Sequence, residues 1–410
     1  MRHVSLLLAS LLLAAPLSAQ EWHAWSPRPE VAPTVSRDGD ALVLEGGGNP
    51  AVFGGWEREF PVRGGQWYRL RVDYDPSGLE LELLQAPVRL DWTASDGSRV
   101  GQPDYAWRVA GRESRTVVAE APAPERAARV KVQLLVQGAP RARIRWRDVS
   151  LSPIETPGPR AVRVAAIRLR PKGPDPLARF VALVASSVPA GTDLIVLPEG
   201  VTLVGTDRRY DEVAQPIPGP DTRRLGAMAH QANAWVVAGV YERDGDVLYN
   251  TAVLIDRAGQ IAGKYRKVYL PREELEGGLT PGHDYPVFDT EFGRVGLMIC
   301  WDVQYADPAR ALALRGAEVI AMPIWGGNEA LARARAIENH LFLVSSGYDF
   351  PTLVFDPVGD TLARAEVDGS IALATLDLNR RYTDPWLGDM RGRFFRELRL
   401  DLPVTPDRSH

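Results

Sequence analysis

The stretch that decides the fold is Val295-Gly-Leu-Met-Ile-Cys-Trp-Asp302, in which an apolar segment stops at a cysteine. The five residues before the cysteine are typical of a strand buried on both faces, as in parallel sheets covered by helices. Loops and helix ends gather at the carboxyl edge of such a sheet, and clefts form there. Cys300 is therefore the first candidate for a functional residue.

Two other apolar segments end in the same way. Asp193-Leu-Ile-Val-Leu-Pro198 leads to Glu199, and Ile261-Ala-Gly-Lys-Tyr-Arg266 leads to Lys267. Cysteine, glutamate and lysine supply a nucleophile, a base and a cation. Taken singly, Cys300 fits a buried small hydrophobe, Glu199 a helix cap and Lys267 a surface residue. Their occurrence together favours a catalytic interpretation.

The composition narrows the chemistry further. Cys300 is the one cysteine among 410 residues, which excludes an intramolecular disulfide and a cysteine-based zinc cluster. The six histidines show no HExxH pair, and no G-x-S-x-G sequence occurs, so we expect neither a zinc enzyme nor a serine hydrolase of that type. We expect no metal and no cofactor. A formal net charge of −4 gives no reason to expect nucleic acid as a partner.

The first residues predict export. Arg2 and His3 precede an apolar segment, Ser5–Leu17, and the small residues Ser18-Ala19 follow it. This order is typical of a secretory signal peptide over residues 1–19, and the apolar segment is short for a spanning helix of about 20 residues. An uncleaved anchor is the alternative. We expect the mature protein in the periplasm or outside the cell.

Residues 20–151 have the pattern of an all-β sandwich used as an accessory domain. Short alternating segments such as Ala41–Leu44 and Val130–Val136 are separated by turn clusters. Seven tryptophans lie here: Trp22, Trp25, Trp56, Trp67, Trp92, Trp107 and Trp146. The strand rhythm resembles jelly-roll carbohydrate-binding modules. The tryptophans fit either packing in the sandwich or stacking on a glycan, and both roles stay open.

A proline-rich linker, residues 152–160, separates this region from a different pattern. Over residues 161–378, apolar strands alternate with segments of helical spacing, such as Leu177–Val188 and Ala330–Asn339, which predicts a layered α/β domain. The tail, residues 379–410, carries Trp386, Phe394 and Phe395 among arginines. We expect the tail to pack on the catalytic domain or on a partner subunit.

From Arg160 to Leu378 the sequence resembles the nitrilase superfamily of carbon–nitrogen hydrolases. Three motifs occur in the family's order: Leu197-Pro-Glu199, Lys264-Tyr-Arg-Lys267 and Ile299-Cys-Trp-Asp302. The resemblance implies a four-layer α-β-β-α sandwich, a catalytic triad of Glu199, Lys267 and Cys300, and association of subunits through the catalytic domain.

The resemblance also implies a second glutamate between the lysine and Pro281. Glu273, Glu274 and Glu276 compete for this role in Pro271-Arg-Glu-Glu-Leu-Glu-Gly-Gly278. Our choice is Glu276, directly before the glycines, with Glu274 as the alternative.

The sequence near the cysteine bears on the substrate. Cys300-Trp-Asp302 is more similar to the amidase and carbamoylase branches than to true nitrilases. Trp301 and Trp325 are candidates for substrate binding, and a core role fits either of them equally well. The sequence therefore predicts an exported hydrolase of small amide or N-carbamoyl compounds that proceeds through a thioester, with a glycan as a second candidate ligand. The alternative is a non-catalytic glycan-binding or scaffold protein.

Overall fold

A computed structural model describes residues 21–110, 115–350 and 352–402. The predicted signal peptide, residues 1–19, lies outside the described residues. The chain divides into two units, one containing residues up to Pro157 together with those from Thr383 onward, and the other Gly158–Tyr382. Among the described residues, no helix has both the length and the apolar character needed to cross a membrane.

Antiparallel strands make up most of the first unit. In its N-terminal part the strands are β1 His23–Trp25, β2 Thr34–Asp38, β3 Ala41–Glu45, β4 Phe53–Pro61, β5 Trp67–Ser77, β6 Val88–Thr93, β7 Asp104–Tyr105, β8 Arg108–Ala110, β9 Arg115–Pro122, β10 Arg129–Gln137 and β11 Arg143–Ile154. A 3₁₀ turn spans Pro29–Val31, and helix α1 spans Glu82–Gln85. One sheet has the order β1-β4-β10-β6-β7 and the other β2-β3-β11-β5-β9-β8.

The two sheets of the first unit share one hydrophobic core. Buried and less buried positions alternate along β5, where Leu70 and Val72 point inward. Trp92 and Trp146 are fully buried, and the Trp146 ring stacks on Tyr74 with centroids 5.0 Å apart. Because a strand directs successive side chains to opposite faces, this alternation gives each sheet one inner face. Core packing therefore accounts for these two tryptophans. The likeness to carbohydrate-binding modules stays a prediction.

The second unit alternates strands and helices. Its strands are β12 Ala161–Arg168, β13 Leu194–Val196, β14 Trp235–Asp244, β15 Val247–Ile255, β16 Ile261–Arg266, β17 Val287–Asp289, β18 Arg294–Leu297, β19 Val319–Pro323, β20 Phe342–Ser346, β21 Thr352–Phe355, β22 Thr361–Ala365 and β23 Ser370–Asp377. Its helices are α2 Pro176–Ser187, α3 Tyr210–Val213, α4 Pro220–Ala232, α5 Arg272–Glu276, α6 Asp307–Leu314 and α7 Glu329–Asn339, with a 3₁₀ turn at Cys300–Gln304.

These elements form four layers. One sheet has the order β16-β15-β14-β13-β12-β23, and the other β17-β18-β19-β20-β21-β22. Helices α2 and α4 cover the first sheet and α6 and α7 the second, while β12, β13 and β14 face β19 and β20 between the sheets. The strands β12, β13 and β14 are parallel to one another, as are β18, β19 and β20. Glu199 and Cys300 thus follow parallel strands of different sheets.

From Thr383 onward the tail belongs to the first unit, whereas its first residues, up to Tyr382, belong to the second. It forms a hairpin of β24 Thr383–Asp384 and β25 Gly388–Asp389 and a short helix α8 Arg393–Glu397. The guanidinium of Arg396 lies 4.7 Å from the centroid of the Tyr105 ring, and a Cβ on Gly392 would overlap the side chain of Trp107. We expected the tail to pack on the catalytic domain or a partner subunit. From Thr383 onward the structure differs from the first of these expectations, because aromatic side chains of the first unit offer the tail a packing surface. Packing on a partner subunit stays a prediction.

Candidate active site

Glu199 lies in a turn held by the neighbouring strand. After β13, the backbone N–H of Leu197 still donates to Val237 O on β14, at 2.8 Å. Gly239 then binds both sides of the turn: its N–H donates to Pro198 O at 3.1 Å, and its carbonyl accepts from Val201 N at 3.0 Å. These bonds keep the glutamate, which is 2% exposed, at the end of the sheet.

Lys267 follows the edge strand β16 and is held from two sides. Its N–H donates to Asn250 O on β15 at 2.9 Å, and its carbonyl accepts from Gly282 N at 2.8 Å. The side chain is 1% exposed. A lysine so deeply buried needs anionic partners, because an isolated ammonium in a protein interior is costly.

Cys300 occupies a strained turn. It begins the 3₁₀ turn that follows β18, and its φ of 41° lies in the left-handed region, which is uncommon for a residue with a side chain. The thiol Sγ lies 3.5 Å from the carbonyl oxygen of Gly326. Strained backbone of this kind is frequent at active sites, where the surrounding structure enforces it.

The lysine ammonium lies between two buried carboxylates. Lys267 Nζ donates to Glu199 Oε1 at 2.9 Å and also lies 2.9 Å from Glu274 Oε2. Glu274, on helix α5, is 5% exposed. Ion pairs within the interior are far less screened than surface pairs, so these contacts fix the ammonium firmly.

Asn250 joins the same two carboxylates from the other side. Its Nδ2 donates to Glu199 Oε1 and to Glu274 Oε1, each at 2.6 Å. An amide nitrogen has two protons, so one side chain satisfies both acceptors. Glu199 Oε2 is buried and has no hydrogen-bond partner within the described part of the chain. Of the two oxygens of Glu199, only Oε1 thus receives the hydrogen bonds from Lys267 and Asn250.

Glu276, our choice for the second glutamate, lies outside this cluster. Its side chain is 64% exposed and pairs with Arg272 on the surface of α5, at 2.8 Å. Glu274, the alternative, occupies the buried position instead. The reason is helical geometry: residues two positions apart point to nearly opposite sides of a helix, so only one of the two glutamates faces Lys267.

The electrostatics of the cluster keep the cysteine protonated at rest. Burial raises the pKa of the Cys300 thiol to about 12, and the negative charge of Glu199 adds to this, while Lys267 and the backbone of Trp325 lower it. Lys267 favours the thiolate, but burial and the carboxylate outweigh it, so the thiol would need a base before it could act as a nucleophile.

The pKa values of Lys267 and Glu274 both lie above their ordinary values. Burial alone would lower the pKa of Lys267, but the negative charges of Glu199 and Glu274, and that of Cys300 when it is ionised, raise it well above its ordinary value. Burial raises the pKa of Glu274 to about 7, against the lowering effect of Lys267, and Glu199 raises it further. Lys267 is thus a fixed cation, and Glu274 titrates near neutrality.

The two tryptophans predicted to bind substrate have different surroundings. Trp301, in the turn after the cysteine, is 38% exposed. Trp325 is half-buried, its ring packs edge-on against Tyr348 at 4.9 Å, and Gly200 lies beside it. The Tyr348 hydroxyl in turn donates to Glu199 O at 2.9 Å. Substrate contact by either tryptophan stays a prediction.

Sequence reasoning missed Asn250 as a member of the site. A signal for it exists, because Asn250 is a fully buried amide within β15, a strand whose remaining residues are mostly apolar. A buried polar side chain requires partners, so an amide at this place indicates polar groups on the neighbouring elements. Within the described residues, no group of three or more His, Cys, Asp or Glu side chains is arranged to hold a metal ion.

The chain belongs to the carbon-nitrogen hydrolase family, whose sequence profile matches residues 163–385. This match confirms the resemblance to the nitrilase superfamily over the second unit and extends a few residues beyond it. It does not reach the N-terminal strands.

Proteins similar to this chain in sequence include a nitrilase and an omega-amidase, and a solved structure matches part of its fold. A nitrilase of Pyrococcus abyssi is 35% identical over 251 residues, which is 54% of this chain and 94% of that protein. An omega-amidase of Homo sapiens is 27% identical over 260 residues, covering 56% of this chain and 91% of its own length. Among solved structures, a nitrilase-superfamily member of Saccharomyces cerevisiae matches with a TM-score of 0.49 and 24% identity, over 61% of this chain and 97% of that one.

Proposed function

We propose that the protein hydrolyses amide or N-carbamoyl substrates by means of Cys300, Glu199 and Lys267. The observation that carries the proposal is the buried ion cluster, in which Lys267 Nζ lies 2.9 Å from Glu199 Oε1 while Glu199 and Lys267 both act on the pKa of Cys300. A base, a cation and a thiol held together out of water are the groups that acyl transfer to sulfur requires.

We propose that the first half-reaction uses all three residues. Glu199 Oε2 takes the thiol proton as Sγ bonds to the substrate carbonyl carbon. Lys267 Nζ and the backbone N–H of Trp301 stabilise the negative charge that develops on the carbonyl oxygen. The C–N bond then breaks, the leaving nitrogen takes the proton from Glu199, and a thioester on Cys300 is left.

Water completes the cycle. Glu199 accepts a proton from the water that attacks the thioester carbon, the C–S bond breaks, and the proton returns to sulfur as the acid leaves. Glu274 contributes charge and position, because Asn250 and Lys267 occupy its two oxygens. We propose that it holds Lys267 in place and is not itself the base.

A panel of substrates tests this proposal. Ammonia release is measured for simple amides, N-carbamoyl compounds and nitriles with the wild type and Cys300→Ala. We expect at least one amide or carbamoyl compound to be hydrolysed by the wild type alone. If no compound separates the two proteins, the hydrolase proposal fails, and the alternative of a non-catalytic glycan-binding or scaffold protein takes its place. A glycan array with the full chain then tests that alternative.

We further propose that the protein is exported and that it associates with itself through the catalytic unit. Export rests on the charged, apolar and small residues in sequence over residues 1–19. Export is tested by expressing the chain, fractionating the cells and determining the mass of the mature N-terminus. We expect a mature chain that begins near Gln20, and a cytosolic, unprocessed chain would contradict export.

Self-association is tested by light scattering, and a monomer would contradict it.

A further inference from the structure

Asp302 is a fully buried carboxylate that the proposed reaction does not use. It lies in the 3₁₀ turn Cys300–Gln304 and is 0% exposed. Its Oδ2 accepts hydrogen bonds from Ile299 N at 2.9 Å and from the Tyr265 hydroxyl at 2.7 Å. Its Oδ1 accepts from Tyr269 N at 3.0 Å. One side chain therefore receives three donors.

The three donors lie next to two residues of the triad. Ile299 directly precedes Cys300, while Tyr265 and Tyr269 lie two residues before and two residues after Lys267. The Tyr265 hydroxyl also accepts from Val268 N at 3.2 Å, which adds a second tie on the far side of the lysine. Through these hydrogen bonds the Asp302 carboxylate links the segment that contains Lys267 to the segment that contains Cys300.

We propose that Asp302 is a positioning residue that sets the placement of Lys267 Nζ relative to Cys300 Sγ. The bond from Ile299 N also holds the turn in which Cys300 keeps its left-handed backbone, with φ of 41°. The proposal rests on the proposed function, since this placement matters for turnover only if the lysine and the cysteine act on one substrate.

The charge state of Asp302 fits this role. Burial raises its pKa to about 6, whereas the donors Ile299, Tyr265 and Tyr269, together with Lys267, lower it. An ionised carboxylate only accepts hydrogen bonds, and all three of its neighbours donate. An asparagine has one acceptor oxygen and one amino group, so in either orientation its amino group meets at least one donor.

Another buried aspartate of the same unit provides a matched control. Asp356 is 1% exposed and accepts from Val358 N at 3.0 Å and Asp360 N at 2.8 Å, both in its own turn between β21 and β22. Its bonds to these two donors are local and touch no member of the site. Asp356 also hydrogen-bonds the side chain of Tyr382, which likewise lies outside the site. Asp356→Asn therefore reproduces the loss of a buried carboxylate that accepts backbone N–H groups, without a link between Lys267 and Cys300.

The test uses the full chain and two readouts. The first is kcat and KM on the simplest amide that the wild type hydrolyses. The second is the rate of alkylation by iodoacetamide, which reports Cys300 alone because the chain has one cysteine. For Asp302→Asn we expect kcat to fall about 10²-fold with KM nearly unchanged, since misplacement of catalytic groups acts mainly on the transition state. Alkylation is expected to slow by about fivefold or more, because a displaced ammonium stabilises the thiolate less.

Two further variants keep the test decisive. Tyr265→Phe removes one donor and keeps the ring, and we expect the same changes at smaller size even if Asp302→Asn fails to fold. Asp356→Asn is expected to lower the melting temperature while kcat and alkylation stay at wild-type values. The positioning role is overturned if Asp302→Asn keeps the wild-type kcat and alkylation rate. If Asp302→Asn does not fold, the same result in Tyr265→Phe overturns it. Ammonia release by Cys300→Ala would instead overturn the proposed function.

Discussion

At the scale of single residues, Glu274 and Glu276 form a natural pair for mutagenesis. They lie on one short helix, but only Glu274 contacts Lys267 and Asn250. We expect Glu274→Gln to lower kcat by about 10²-fold or more, because Lys267 loses one of its two anionic partners beside the developing oxyanion. Glu276→Gln is expected to keep wild-type kcat. Steady-state kinetics of both variants check this, and equal losses would contradict it.

The titration of Glu274 predicts a pH-dependent stability. Its pKa rises from 4.5 to about 7 in the folded protein, chiefly through burial. In that pH window the folded state holds a proton that the unfolded state has released, so the contribution of this group to stability falls as pH rises. Glu274→Gln removes the titration. The melting temperature of the variant, relative to wild type, is therefore expected to improve between about pH 5 and pH 8. A difference that does not vary with pH would contradict this.

The residue scale also shows where sequence reasoning was sufficient. The strand ends and local motifs singled out Glu199, Lys267 and Cys300, and the structure brings the side chains of Glu199 and Lys267 to 2.9 Å, while their catalytic role stays a prediction. Glu276 was chosen over Glu274 because adjacency to Gly277 was used as the criterion, whereas the facing side of the five-residue helix α5 decides which carboxylate is buried. Helical phase of so short an element depends on the surrounding packing, which a sequence does not display.

At the scale of elements, β14 supports the turn that carries Glu199. A Cβ on Gly239 would lie 2.6 Å from Glu199 Cα and 3.1 Å from Gly200 N, both backbone atoms that cannot rotate away. We expect Gly239→Ala to cost about 1–3 kcal/mol of stability and to displace Glu199. A loss of kcat by up to about 10²-fold should follow.

Gly158→Ala is the matched control for this substitution. A Cβ there has no neighbouring atom within 4 Å. Denaturant unfolding and steady-state kinetics on both variants check the prediction. Unchanged kcat and stability in Gly239→Ala would show that the turn adjusts freely, against the rigid support described for Glu199.

Most helices and strands of the second unit can be predicted from the periodicity of apolar residues in the sequence. The predicted segments Ile261–Arg266 and Ala330–Asn339 agree with β16 and α7 within a residue, because their apolar spacing and turn residues are strong signals. Helices α3 and α5 were not predicted, since four or five residues are too few to show a helical period. Their placement depends on contacts from distant parts of the chain.

At the scale of the whole molecule, the tail returns to the first unit. Removal of residues 383–410 would strip the hairpin β24–β25 and helix α8 from that unit. We expect the truncated chain to lose thermal stability in the transition of the first unit, while the catalytic unit unfolds as before. Calorimetry on the full chain and on truncations after residues 382 and 402 checks this. A change only in the catalytic transition would contradict the assignment of the tail.

The unit on which the tail packs could not be predicted from the sequence, because the tail follows the second unit along the chain but packs on the first. Its aromatic residues predicted that it packs on something, and the structure shows Arg396 over Tyr105 and Gly392 against Trp107. Which unit receives a segment depends on the surfaces that folding leaves uncovered. A sequence indicates that aromatic side chains need burial, but it does not indicate which surface will bury them.

The central claim is that the protein breaks a C–N bond through a thioester on Cys300. The most direct measurement is the intact mass of the protein after rapid acid quench during turnover of an amide that it hydrolyses. We predict an adduct equal to the acyl part of the substrate, removed by hydroxylamine and located on the chain's one cysteine, and no adduct in Cys300→Ala. Turnover by Cys300→Ala at the wild-type rate, or an adduct on another residue, would contradict the account.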